Sequence, residues 1–155
     1  MSLALNIAPP APGPELVSPA QLQLREGQYA LMSSSFGLHG GLVGSGSFLN
    51  LLKGVCSQPI SRLARGIVDR TLVNFSWQGE ILIPLFQFSE GSLTPRPELG
   101  DVLAELRDDR NDWELAHWFA LPHPCLDERP PAALLASQPA CVLNAARVDR
   151  FITHG

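Results

Sequence analysis

The chain has 155 residues, which is enough for one compact domain or for two very small units that share a core. Its formal net charge of −4 excludes the uniformly basic surface that many nucleic-acid-binding proteins carry. Three cysteines without CxxC spacing indicate reduced thiols rather than a disulfide framework, so a cytoplasmic protein is predicted. No apolar run approaches the ~20 residues of a membrane-spanning helix, and no membrane contact is predicted.

Residues 1–30 are rich in proline, which lacks an amide donor and restricts the residue before it. We therefore predict a largely disordered tail over this range, with an ordered Leu22–Leu31 segment against the core as the alternative for its end. The glycine-rich stretch 36–47 follows, and it lacks both a GxxxxGK[ST] motif and a preceding strand. It is predicted to be a flexible linker that ends at Ser47, the N-cap of the next helix.

Two short helices are predicted between residues 48 and 70. A connection of only about two or three residues would force a tight helix-turn-helix corner between them. Apolar residues in the second helix fall at i, i+3, i+4, i+7 and i+8, which predicts one buried stripe. This stripe consists of Ile60, Leu63, Ala64, Ile67 and Val68.

A change to strand periodicity follows these helices. Val73, Phe75 and Trp77 alternate with polar residues, and a second strand is predicted over Ile81–Phe88, confined to a sheet edge by Pro84. Residues 31–90 are thus predicted to form a helix-turn-helix-like unit with a β-hairpin, similar to a reduced winged-helix unit. Four basic residues and one acidic residue over residues 47–77 indicate a DNA-binding surface, with an ordinary solvated surface as the alternative. The predicted DNA-binding residues are Lys53, Arg62, Arg65 and Arg70.

The C-terminal part, residues 91–155, is predicted to be helical. Asn111 and Glu114 have capping-box spacing and would begin a helix that carries Trp113, Trp118 and Phe119. Because the two tryptophans are five residues apart, they lie on different faces, and one of them is a candidate for an interface. Pro139 would open the last helix.

No catalytic or metal site is predicted. His117, His123, Cys125 and Asp127 are crowded, but their spacing matches no common zinc finger. Ser45 lies between two glycines without the GxSxG frame of a nucleophile elbow. We therefore predict a mainly α-helical binding protein that is not an enzyme and has no cofactor.

Three stretches carry a resemblance to a known family. They are WELAHWFALP (Trp113–Pro122), HPCL (His123–Leu126) and RPPAALL (Arg129–Leu135). Together they resemble the Xre/MbcA/ParS-type antitoxin toxin-binding domain, in which a Trp-containing helix precedes Pro-Asn-x-x-Leu-Gly-Gly and Pro-x-Asp-Leu-Leu. The resemblance covers residues 58–153. His123 stands in place of the asparagine, Asp127-Glu128 in place of Gly-Gly, and Ala133 in place of the aspartate.

The resemblance implies a partner, a RES-type toxin that consumes NAD or transfers from it. The C-terminal region would cover the entrance of the toxin's active site, and the N-terminal unit would bind operator DNA and repress its own operon. Arg147–Gly155 would be a plug that adds little to the fold. A homo-oligomer is also expected. The implied toxin-binding residues are Trp113, Pro122, His123, Leu126, Arg147, Arg150 and Phe151.

Two other functions remain open at this point. A stand-alone transcriptional regulator would keep the domain without a toxin. An adapter would bind proteins with both halves and leave DNA unbound. A neighbouring gene for a RES-type toxin would favour the antitoxin.

Overall fold

A 20-residue helix, α1 (Pro19–Leu38), opens the part of the chain that the computed structural model describes, residues 17–154. Ser18 and Gln21 form a capping box at its start, and Pro19 occupies its first turn, where a missing N–H costs nothing. The disorder predicted for residues 1–30 is therefore wrong for residues 19–21, and from Leu22 onward the structure has the ordered alternative. Residues 1–16 of that prediction lie outside the described residues.

A three-stranded antiparallel sheet follows, made of β1 (Leu42–Gly44), β2 (Phe75–Trp77) and β3 (Glu80–Pro84). The strand order is β1-β3-β2, so β3 is the central strand and Pro84 is not on an edge strand as predicted. Pro84 is instead the last residue of β3 and lies opposite Leu42, where the chain turns into a 3-10 turn. The prediction failed because β1 comes from the glycine-rich stretch and was not recognised as a strand.

The glycines serve the turn between α1 and β1. Gly40 and Gly41 have φ values of 99° and 106°, a conformation that side chains with a Cβ rarely adopt. Helix α2 (Ser45–Lys53) then begins after Gly44, so Ser47 is not an N-cap and the stretch is not a linker. Residues 54–58 connect α2 to α3 (Pro59–Val68), a longer connection than predicted.

The predicted apolar stripe of α3 is only partly buried. Leu63 is buried and Ile67 is half-buried, whereas Ala64 is exposed. Ile60 and Val68 are 69% and 78% exposed. The helix is rotated so that Gly66 lies against Leu72, where a Cβ would come within 2.6 Å of Leu72 Cδ1. The buried face is thus centred between Leu63 and Gly66, and three of the five residues of the apolar stripe are exposed.

Four helices complete the chain. They are α4 (Pro97–Leu106), α5 (Asp112–Ala120), α6 (Pro131–Leu134) and α7 (Pro139–His154). One hydrophobic cluster joins α1 and the sheet to these helices, and a smaller one lies beneath α2 and α3. The fold is therefore mainly helical with a small antiparallel sheet. Within residues 17–154 no helix has the length and apolar character needed to cross a bilayer.

A buried glutamine holds the sheet region together. The side chain of Gln87 accepts from the Val73 backbone N–H at 2.7 Å and donates to the carbonyls of Val73 and Pro84, each at 2.8 Å. Backbone groups that would otherwise be buried without partners are satisfied in this way. The segment before β2 is thus fixed to the end of β3.

Candidate protein-binding site

Helix α5 positions the aromatic residues of the C-terminal half. Its capping box between Asn111 and Glu114 confirms the prediction. Trp118 and Phe119 are buried, with their rings at 5.0 Å in an edge-to-face arrangement. This half of α5 therefore forms part of the core beneath the loop that follows it.

Trp113 lies at the other end of α5 and is half-buried. Its ring packs edge-on against Phe75, its Nε1 donates to the Gln28 side chain at 2.9 Å, and Arg25 lies over it at 4.6 Å. Trp113 thus joins α5 to α1 and β2. The other implied toxin-binding residues lie on the 122–126 loop and on α7.

The loop after α5 is tied to α7 through one carboxylate. Asp149 Oδ2 accepts from Trp118 Nε1 at 2.6 Å and lies 2.9 Å from His123 Nε2. His123 Nδ1 accepts the Cys125 backbone N–H at 3.0 Å, so Nε2 carries the hydrogen and donates to Asp149. His123 is therefore a buried structural link between the loop and α7. Within residues 17–154, no three His, Cys, Asp or Glu side chains are grouped to hold a metal ion.

The same loop contains two residues in the left-handed conformation. Asp127 and Glu128 have φ values of 53° and 59°. The buried side chain of Leu126 anchors the loop, and the backbone N–H of His123 closes it by donating to the Arg129 carbonyl at 3.1 Å. These two positions are the ones where the resembled family carries Gly-Gly. The loop thus adopts a conformation that glycine favours, although it contains no glycine.

We expect Glu128→Gly to raise the free energy of unfolding by about 0.5–1 kcal/mol. The left-handed conformation costs a non-glycine residue roughly 1–2 kcal/mol, and part of this gain is offset by the backbone entropy of glycine. Chemical denaturation measures the change. Ala104→Gly is the matched control, because Ala104 is exposed inside α4 and glycine there should cost ~1 kcal/mol. Destabilisation by both substitutions would contradict a strained loop.

Helix α7 packs against α4, and side chains near its end contact acidic residues in α4 and just after it. The Glu105 carboxylate accepts hydrogen bonds from Arg147 Nε at 3.4 Å and from Arg150 Nη1 at 2.9 Å. His154 Nε2 lies 2.6 Å from Asp109 Oδ2. The hydrogen bond from Arg150 holds the pKa of Glu105 below its ordinary value. Because this pKa is lower in the folded state than in the unfolded state, ionised Glu105 contributes to the free energy of unfolding at neutral pH. This contribution is lost as the pH falls through the folded-state pKa.

The end of α7 also presents two consecutive apolar side chains. Phe151 and Ile152 are 75% and 71% exposed. Phe151 borders a cavity of about 440 Å³ together with Glu105, Arg147 and Arg150. The structure therefore brings together the implied residues Arg147, Arg150 and Phe151. Ile152 was not predicted as a binding residue from the sequence. Two consecutive apolar residues near the end of a largely polar helix could have indicated it.

Arg147–Gly155 was predicted to be a tail that the fold can lose cheaply, and this is wrong. Residues Arg147–His154 continue α7 as regular helix. Asp149, the acceptor for Trp118 and His123, lies within them. The prediction counted only apolar contacts and so missed a polar anchor. Pro122 is exposed at the start of the loop, and Leu126 is buried beneath it.

The four predicted DNA-binding residues differ in their exposure and in their contacts. Lys53 and Arg65 are exposed, and Arg62 is half-buried with a weak contact to Thr94 Oγ1 at 3.4 Å. Arg70 instead donates to the carbonyls of Arg107 and Arg110 at 2.8 and 2.6 Å, near the end of α4. Arg70 is therefore held within the fold and is not free to contact phosphate.

Comparison with known protein families, characterised proteins and solved structures gives no significant match to this chain.

Proposed function

We propose that this chain is an antitoxin-like protein that binds a RES-type, NAD-consuming toxin and occludes its active site with the end of α7. The observation that carries the proposal is the exposed pair Phe151 and Ile152. Exposed apolar side chains of this size next to one another are typical of protein-binding sites when polar groups surround them. Arg147, Arg150 and His154 lie around Phe151 in this way.

The last turns of α7 are held to the rest of the fold by side-chain contacts, which favours recognition. Asp149 links α7 to Trp118 and His123, and Glu105 links it to α4. A side chain that is held in its bound position before the encounter loses less conformational entropy on binding. Phe151 is therefore presented by a fixed helix, as a plug would require. The left-handed Asp127–Glu128 loop further supports the family resemblance.

Co-expression with a RES-type toxin tests this function in cells. The full-length chain should restore growth and the NAD level, whereas Phe151→Ser with Ile152→Ser should not, because the apolar contacts are lost while Asp149 remains. Leu22→Ser with Leu24→Ser is the matched control, since these apolar residues are exposed on α1. Full protection by the Phe151/Ile152 variant would contradict the plug. Failure to protect by the full-length chain would favour the stand-alone regulator.

Operator binding is a second candidate function. The observation that favours it is the order α2, α3, β2, β3 around a sheet in which β1 pairs with β3, as in a winged-helix unit. Lys53 and Arg65 are the exposed cations of this unit that remain available for phosphate. The outward apolar side chains of α3 give no hydrogen bonds to bases, so contacts with the phosphate backbone would dominate.

Lys53→Glu with Arg65→Glu is expected to weaken binding to DNA from upstream of the gene by at least about tenfold, because two phosphate contacts are reversed in sign. A gel shift over a range of salt concentrations measures the affinity and its salt dependence. Arg129→Glu, an exposed cation on the 122–130 loop, is the control. Unchanged affinity of the double variant would exclude this surface and favour the adapter.

A further inference from the structure

A cavity of about 540 Å³ lies between α2, α3 and the segment from Phe88 to Pro95. Its volume is within the ~300–1,000 Å³ that is typical of small-molecule sites. It lies apart from the α7 surface, and none of its lining residues belongs to the proposed plug. The floor of the cavity is apolar and consists of Phe48, Leu52, Leu63, Leu72, Phe88 and Leu93.

The rim of the cavity is polar and carries a positive balance. Two arginines, Arg62 and Arg65, line the cavity, and Asp69 is the single acidic residue among the lining residues. The two arginines are three residues apart on α3 and so project from adjacent positions on the helix surface. Within residues 17–154 neither guanidinium takes part in an ion pair, and the one hydrogen bond of Arg62 is the long contact to Thr94. Two cations beside the cavity are thus available to a ligand.

The beginning of α3 adds to the positive potential. Its N-cap residue, Gln58, makes no side-chain hydrogen bond to the first turn, and both Ser57 and Gln58 line the cavity. The first N–H groups of a helix lack acceptors within the helix, and the helix dipole places partial positive charge there. Asp69 lies just after the other end of α3. The cavity therefore favours an anionic group near the start of the helix.

We propose that this cavity binds a small amphipathic anion, an alkyl or aryl carboxylate. The carboxylate would lie between Arg62 and Arg65, the fourth and seventh residues of α3, where a guanidinium can bind it through two parallel hydrogen bonds. The apolar body would cover Leu72, Phe88 and Leu93. A cationic ligand of the same length would meet two like charges and is excluded.

Titration of the isotope-labelled full-length chain with decanoate tests the site, with amide chemical shifts as the readout. We expect saturable shifts at the lining residues and no comparable shifts with decyltrimethylammonium, which has the same chain length and the opposite charge. Arg62→Gln with Arg65→Gln should weaken decanoate binding at least about tenfold, which corresponds to ~1.4 kcal/mol. Arg129→Gln should leave the affinity unchanged.

A second variant tests the cavity without removing charge. Ser61 is exposed and lines the cavity, so Ser61→Trp should fill it and abolish binding. Thermal melting shows whether each variant is folded. Three results would overturn the proposal: no saturable binding, equal binding of the two amphiphiles, or shifts confined to the outward side of α3 around Ile60 and Val68.

Discussion

Phe119→Ala is expected to lower the free energy of unfolding by ~3–5 kcal/mol. The Phe119 ring is completely buried and lies 5.1 Å from the Phe86 ring and 5.0 Å from Trp118. It therefore joins α5 to the end of the sheet, and its removal leaves a cavity at the centre of the larger hydrophobic cluster. Urea denaturation measures the change.

Phe151→Ala is the matched control for this substitution. The same side chain is removed from an exposed position, so the free energy of unfolding should change by no more than about 0.5 kcal/mol. Equal effects of the two substitutions would show that Phe119 is not a core residue.

Asp149→Ala is expected to cost ~2–4 kcal/mol, because it leaves the Trp118 and His123 N–H groups without their acceptor. It should also weaken toxin binding, since the 123–129 loop is no longer tied to α7. Asp149→Asn retains one acceptor oxygen and should have a smaller effect on stability. Asp101→Ala, an exposed carboxylate on α4, is the control. Comparable stability of the Asp149→Ala and Asp101→Ala variants would rule out the buried network as a source of stability.

The position of Asp149 also determines how the plug must be tested. Deletion of Arg147–Gly155 removes this acceptor together with Phe151, so a loss of function would not separate folding from binding. Substitution of Phe151 and Ile152 alone leaves the network intact. The two substitutions are therefore the informative variants.

The local signals in the sequence were sufficient for several elements. The Asn111–Glu114 capping box and Pro139 at the start of α7 depend on neighbouring residues, and the structure has both. The start of α1 had a similar signal in Ser18 and Gln21, but the density of prolines before it led to a prediction of disorder. Glycines likewise concealed β1, which owes its existence to pairing with β3.

Other features depend on residues that are distant in the sequence. The rotation of α3 is set by packing against Leu72, so periodicity alone could not show which half of the apolar stripe is buried. Arg70 contacts carbonyls 37 and 40 residues away. The link from Asp149 to His123 spans 26 residues, and neither residue type has a periodic signal. These contacts required the assembled fold.

Direct measurement of the complex tests whether the end of α7 binds a toxin. A RES-type toxin is titrated calorimetrically with the full-length chain and with the Phe151→Ser/Ile152→Ser variant. Each side chain is expected to contribute ~2 kcal/mol, so the double substitution should weaken binding roughly a thousandfold. The Leu22→Ser/Leu24→Ser control should bind like the parent. An unchanged dissociation constant for the Phe151/Ile152 variant would contradict the proposal that the end of α7 occludes a toxin.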